Sequence, residues 1–220
     1  MLLWGRKWEA SMVKIVAVAQ QKGGAGKTML VAQLGAALGQ DRRVALLDID
    51  PQASLTAWGR LRAANGKAQV GLTIESVAGW RMAGALDGLR KARDLILIDT
   101  PPVLDSDARR AIRGADLVLI PMNPTPPDLW AAEGTLKLAA EERRRVALVF
   151  NRAPAASKLR RRLEAEIAAR GLVLLDESLG NRAGFANAFA DGLGVTETGP
   201  STQAGAEIAA LAARIVLILG

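Results

Sequence analysis

Residues 20–28, Gln-Gln-Lys-Gly-Gly-Ala-Gly-Lys-Thr, set three glycines between two lysines and close on a hydroxyl. Gly23, Gly24 and Gly26 allow the backbone to curl with its N–H groups pointing inward, and a helix beginning near Gly26 adds its partial positive end. A loop of that kind suits a polyphosphate. Lys27 then reaches the outer phosphates and the Thr28 hydroxyl can ligate Mg²⁺. One lysine is enough for this chemistry, so Lys22 is surplus and its purpose is an open question. The strict pattern for such loops asks for glycine at position 21, where this chain has Gln21.

Carboxylates complete the chemistry. Asp48-Ile-Asp50-Pro51-Gln52 and Asp99-Thr-Pro-Pro102 each follow a short apolar run. If residues 48–50 continue a strand, Asp48 and Asp50 share a face, and both could address Mg²⁺ or an attacking water. An aspartate at a strand end often caps the next helix instead. Three of them at two strand ends, beside a lysine loop, specify a Mg-nucleotide hydrolase.

These groups need a scaffold that brings strand ends together. Residues 14–19 form an apolar, β-branched run before the loop, and 29–39 read as a helix with Leu30, Leu34, Ala37 and Leu38 on its apolar face. Further buried-strand candidates are 44–48, 95–99, 117–121, 146–150 and 172–175, with helical sequence between them. The alternation predicts an α/β fold, a doubly wound, mostly parallel sheet with helices on both faces and ligands at the carboxyl ends of its strands. The run 121–128 is too rich in proline to read as helix. No repeat, low-complexity tract or linker divides the chain, so one domain is expected over 13–220. Residues 1–12 read as a loosely ordered N-terminal extension, with a partner or membrane contact through Trp4 and Trp8 as the alternative.

Composition narrows the class. Among 220 residues there is no cysteine and no histidine, so any metal must be a hard cation held by oxygen. The N-terminus lacks a signal-peptide core, no run is long enough to span a membrane, and a cytoplasmic protein is the simplest reading. Twenty-nine basic against 22 acidic residues give a formal charge of +7. Such an excess suits a polyanionic partner, although arginine-rich, alanine-rich sequences also drift basic without one.

Together Lys22-Gly-Gly-Ala-Gly-Lys-Thr28, Asp48-Ile-Asp-Pro-Gln52, Asp99-Thr-Pro-Pro102 and Pro121-Met-Asn-Pro-Thr-Pro-Pro-Asp128 resemble the deviant Walker A ATPases of the ParA/MinD group, above all the short partition ATPases. Thr56-Ala-Trp58 and the Asp191-Gly192…Val195-Thr-Glu197 stretch extend the resemblance, which covers about 13–219. It implies a P-loop fold, ATP and Mg²⁺ as cofactors, and nucleotide binding by Gly23, Gly24, Ala25, Gly26, Lys27, Thr28, Met29 and Asn151, the last contacting adenine. Asn151 is also simply a turn residue after a strand. Thr28, Asp50 and Asp99 would organise the metal. Asp50 would orient the hydrolytic water, and Asp48 would support the metal shell or the structure. Lys22 would cross a dimer interface to the partner's phosphates, acting with Lys27 and Asp50 in catalysis. Members of the group usually carry a second hydroxyl where this chain has Met29, which costs one contact to the α-phosphate.

The same resemblance implies an ATP-bound homodimer, slow hydrolysis stimulated by a ParB-type adaptor, and nucleoid association through non-specific DNA binding. Candidate DNA contacts are Lys158, Arg160, Arg161, Arg162 and Arg182, with Arg152 and Arg170 nearby in sequence. A solvated helix face pairing with Glu164 and Glu166 is the alternative for 158–162. Only about twelve residues precede the first strand, too few for the DNA-binding domain of the longer partition ATPases. Two competing readings are weaker. A MinD-like membrane-surface ATPase wants an amphipathic C-terminal helix, whereas 206–220 is apolar nearly all round, and a metal-cluster assembly ATPase wants cysteines. Cargo, whether plasmid, chromosome or protein cluster, is not written in these residues.

Overall fold

The computed structural model describes residues 13–66, 68, 71–154 and 157–220. The predicted N-terminal extension, with Trp4 and Trp8, lies outside them. The elements run β1 (Lys14–Val18), α1 (Lys27–Leu38), β2 (Val44–Asp48), α2 (Ser54–Ala64), β3 (Leu72–Ser76), a 3-10 turn at Gly79–Arg81, α3 (Met82–Arg90), β4 (Leu95–Asp99), α4 (Ser106–Gly114), β5 (Leu117–Met122), α5 (Pro126–Glu141), β6 (Arg145–Phe150), α6 (Lys158–Ala169), α7 (Ala183–Ala190), α8 (Val195–Thr198) and α9 (Gln203–Leu219).

Six parallel strands pair in the order β3-β2-β4-β1-β5-β6. Strand alternation splits their side chains between two cores. Val16, Val18, Leu46 and Leu97 point to the side covered by α1, α2, α7, α8 and α9, where Leu34, Trp58, Ile208 and Leu211 meet them. Ile15, Ala17, Leu47 and Ile98 point to the side covered by α3, α4, α5 and α6, with Leu86, Ile112, Leu129 and Ile167. The chain steps outward from β1 to β3 over the first face, then returns through β4 to β6 over the second. Reversing direction and changing face together preserves one crossover hand. It also leaves a crevice at the carboxyl ends of the central strands, where such sheets take ligands.

Three expectations need correction. The edge strand β3 is absent from the sequence reading: its residues are only half-buried and make no apolar run. The expected strand at 172–175 is reduced to a single bridge, Leu148 to Leu174. Residues 173–179 instead strap the outer side of β6, with Leu148 N–H donating to the Val173 carbonyl, and Leu175 and Leu179 N–H donating to those of Leu148 and Phe150. Finally, the proline-rich run turns helical at its end, because Pro126 opens α5, where a missing N–H costs nothing.

The two short motifs at 56–58 and 191–197 prove to be one packing unit. Trp58 stacks on Phe189 at 6.1 Å between centroids and carries the Arg62 guanidinium 5.4 Å from its own. Arg62 donates to both oxygens of buried Glu197, at 2.8 and 2.7 Å. Gly192 must be glycine there: its φ is +71° and a Cβ would stand 2.2 Å from the Arg62 backbone nitrogen.

Candidate nucleotide site

β1 delivers Gln20 to the carboxyl edge of the sheet, and the phosphate loop turns there into α1. Gly24 and Gly26 hold φ of +78° and +87°, in the left-handed region that favours glycine. At Gly26 a Cβ would also lie 2.3 Å from the Asn151 amide nitrogen. No side chain caps α1, and its first turn has no acidic residue. Its leading N–H groups and positive end are therefore left for an anion. Lys27 is buried beneath the loop, its Nζ donating to the Gln20 carbonyl at 3.1 Å. Burial lowers its pKa, against the pull of Asp99 and Asp50. An ammonium held dry and matched to one carbonyl gains most from a phosphate.

Asp99 ends β4 in register with Asp48 of β2. It is 1 % exposed. Its Oδ1 has no hydrogen-bond partner among the described residues. Burial, and to a smaller degree the Asp48 charge, push its pKa up to about 7, against a hydrogen bond from Thr28. An unpaired, dry carboxylate oxygen beside a threonine hydroxyl fits a hard divalent cation. Among the described residues no three acidic side chains converge closely enough to hold a metal ion by themselves. Such a cation would thus take most of its ligands from water and phosphate, as Mg²⁺ prefers.

Asp48 and Asp50 do not share a strand face as expected, because β2 ends at Asp48. Asp48 Oδ2 accepts from the Thr56 N–H at 2.8 Å and hydroxyl at 2.7 Å, which fastens the start of α2. Of its two expected roles the supporting one fits these contacts. Asp50 lies beyond the strand, partly exposed, with its N–H donating to Asp48 Oδ1 at 3.2 Å and its own Oδ1 accepting from the Gln52 N–H at 3.0 Å.

Lys22 points away from the cradle that Lys27 fills. Its Nζ lies 2.7 Å from Asp128 Oδ2, in the first turn of α5. Sequence reasoning named the 121–128 turn but not this partner. The signal was present in Thr125-x-x-Asp128, the spacing that places an acid in the first helical turn within reach of the N-cap hydroxyl, which donates to it.

Beside the loop, a cleft of about 350 Å³ is lined by Met29, Gln33, Asn151, Arg152, Arg182 and Phe185 among others. Its position next to the loop suits a nucleoside. Asn151 already spends its groups locally: Nδ2 donates to the Ala25 carbonyl at 2.9 Å and Oδ1 accepts from Arg152 N–H at 3.0 Å. Arg182, expected on a DNA surface, lines this cleft instead and forks onto Glu207 at 2.6 Å.

The remaining basic candidates divide along α6. Arg160 pairs with Glu164 at 2.8 Å and lies over the Phe150 ring. Lys158, Arg161 and Arg162 are exposed, with no acidic partner among the described residues, and their i, i+3, i+4 spacing puts them on one face. No helix among the described residues is long and apolar enough to cross a membrane.

The family model described as CobQ/CobB/MinD/ParA nucleotide binding domain matches residues 16–195. A maintenance of carboxysome distribution protein A from Halothiobacillus neapolitanus is 31 % identical over 201 residues, spanning 87 % of this chain and 91 % of its own. The chromosome-partitioning ATPase Soj of Thermus thermophilus is 31 % identical over 58 % of this chain and 61 % of its own. Among solved structures, the ATP complex of a Cyanothece McdA variant aligns with TM-score 0.77 at 18 % identity over 94 % of this chain and 98 % of that one. MinD from Pyrococcus horikoshii with Mg-ADP aligns with TM-score 0.77 at 19 % identity, over 95 % and 98 %.

Proposed function

The chain belongs to the CobQ/CobB/MinD/ParA nucleotide-binding family, as a ParA/MinD-type ATPase using ATP and Mg²⁺, and from that premise we propose that it is a positioning switch. ATP joins two copies face to face, the dimer holds DNA without sequence preference, and an adaptor of the ParB type releases it by stimulating hydrolysis. Lys27 and the loop N–H groups, with Gly23 to Met29, hold the phosphates, and Asn151 borders the base. Thr28 and Asp99 position Mg²⁺, and Asp50 orients the water. This site assigns no guanidinium of its own to the outer phosphates, which suits slow turnover that a partner accelerates.

The observation that carries this reading is the placement of Lys22. It sits on the rim of the loop, 40 % exposed, paired sideways with Asp128 rather than folded into its own cradle. A cation so placed, once it leaves Asp128, can address phosphates from outside. The exposed cations of α6 suit a phosphate backbone, and nucleoid association would follow from them. Sedimentation of the protein with plasmid DNA and with anionic liposomes, each with ATP and with ADP, tests this. DNA retention that requires ATP is expected. Liposome binding in its place would favour the membrane-surface alternative.

Two cargoes remain in play. The relative matched along 91 % of its length is named for carboxysome distribution. Relatives named ParA and Soj match along 57 % and 61 % of theirs. The first supports a protein assembly riding the DNA-bound dimer, the others a plasmid or chromosome. Both readings share the switch.

A further inference from the structure

Two guanidinium groups line the cleft beside the phosphate loop, Arg152 and Arg182. They differ in what neutralises them. Arg182 is forked onto Glu207, with nitrogens at 2.6 to 3.0 Å from both oxygens. Arg152 has no acidic partner among the described residues. One of its five donors, on Nη1, reaches the Gly24 carbonyl at 3.1 Å. It stands in a backbone conformation with φ of +50°, which a side-chain-bearing residue adopts only at a cost in strain. That strain turns the pair 151–152 onto the loop, so that Asn151 and Arg152 hold two successive carbonyls, those of Ala25 and Gly24. Met29, on α1, lines the same cleft, and its sulfur receives only the distant Gln33 amide, 3.9 Å away. A thioether offers a phosphate no donor. Among the described residues the cleft therefore holds one cation with no acidic partner, and on its α1 side the position of Met29 supplies no donor.

We propose that Arg152 is the cationic arm of the nucleotide site, binding the phosphate that adjoins the nucleoside and supplying the attraction that Met29 cannot. The assignment rests on the ATPase reading and adds a residue to it. Holding Gly24 is then the resting position of a side chain whose remaining donors serve the ligand. The two non-bridging oxygens of such a phosphate are matched bidentately by this fork, which a lysine does not reproduce.

The test is equilibrium binding, by competition against a fluorescent ADP analogue, of ATP, AMP and adenosine to Arg152→Ala, Arg152→Lys, Met29→Thr and the double variant Arg152→Ala/Met29→Thr, with circular dichroism confirming folding. Arg152→Ala is expected to weaken ATP and AMP alike by about ten- to a hundredfold, the size of one charge-assisted hydrogen bond, and to leave adenosine unchanged. Arg152→Lys should recover part of the loss. In the Met29→Thr background the same alanine change should cost several-fold less, since a hydroxyl then shares the phosphate. Loss for ATP with AMP unchanged would mean that Arg152 merely staples the loop, and would overturn the proposal. So would additive effects in the double variant, or no loss at all. Wild-type protein that fails to bind ATP would overturn the nucleotide reading itself, a result distinct from any of these.

Discussion

The Lys22 ammonium and the Asp128 carboxylate form an ion pair of 2.7 Å in which one partner is 40 % exposed and the other 1 %. Asp128 also accepts from the Thr125 hydroxyl and from both nitrogens of Asn123. Burial works against its charge, but Lys22, Thr125 and Asn123 overcome that and keep its pKa below the usual carboxylate value. Lys22 is thus held within its own subunit by an anchored acid, and reaching a second copy's nucleotide requires leaving it. Asp128→Asn removes the competing charge while keeping the amide's acceptor for Asn123. Its dimers should form at several-fold lower ATP, because a pair with one end in solvent holds by on the order of 1 kcal/mol. Sedimentation velocity across an ATP titration reads this directly. An unchanged midpoint would show that Asp128 does not restrain Lys22.

The two lysines should separate cleanly. Lys22→Ala is expected to bind ATP within a few-fold of wild type, through Lys27, and to lose the ATP-dependent dimer together with DNA retention. Lys27→Ala removes the buried ammonium and should weaken nucleotide by a hundredfold or more, at roughly 1.4 kcal/mol per tenfold. Calorimetry for binding and light scattering for dimers decide it. ATP-dependent dimers of Lys22→Ala would defeat the sandwich reading.

Asp99 makes nucleotide-free stability depend on pH. Its folded pKa, about 7, lies above that of the unfolded chain, so between roughly pH 4 and 7 the folded protein binds the extra proton. Stability from this group is full below the unfolded value and is lost as pH rises through 7. Asp99→Asn should raise the melting temperature of the nucleotide-free protein at pH 8 and change it little at pH 4.5. It should weaken Mg²⁺-dependent ATP binding at both. In the wild type, Mg-ATP binding at pH 6.5 should expel a proton, giving calorimetric enthalpies that scale with the ionisation enthalpy of the buffer.

On α6 the face decides the role. Glutamate at Lys158, Arg161 and Arg162 should abolish DNA retention, leave ATP binding unchanged, and leave the melting temperature within a degree or two. Arg160→Glu should instead lower stability by about 1 kcal/mol, through Glu164 and Phe150, with DNA affinity less affected. Removing the three free cations should also flatten the dependence of log affinity on log salt by roughly one unit per lost phosphate contact. Filter binding at several salt concentrations measures the slope.

The central machinery was legible because its signals are local. Glycines where the backbone turns left-handed, lysine and threonine at a helix start, and aspartates after apolar runs are all read from neighbours in sequence. What escaped depends on distance or exposure. β3 is half-buried at an edge and lacks the apolar run that marks β2 and β4. Residues 172–175 have that run, but their hydrogen bonds go to β6 at isolated points, and the strap bends away before a ladder forms. Asp128 lies 106 positions from Lys22, and Arg152 lies 128 from Gly24. Only the sheet order brings those pairs together. Arg182 looked like a surface cation in a basic chain, whereas Glu207, 25 residues later, turns it inward to the cleft.

The strap at 173–179 has a consequence for how the chain survives its own synthesis. A strand at the border of a sheet offers a row of unpaired N–H and C=O groups to any other chain. Here Leu148 spends both of its groups and Phe150 its carbonyl on the strap, and Val173 is left outermost with its side chain in solvent. Until the ribosome has released those residues, β6 stands open at the border of the sheet's apolar core. Loosening the strap would therefore show first as association of nascent or refolding chains, well before it showed in the affinity of the finished protein for its ligand.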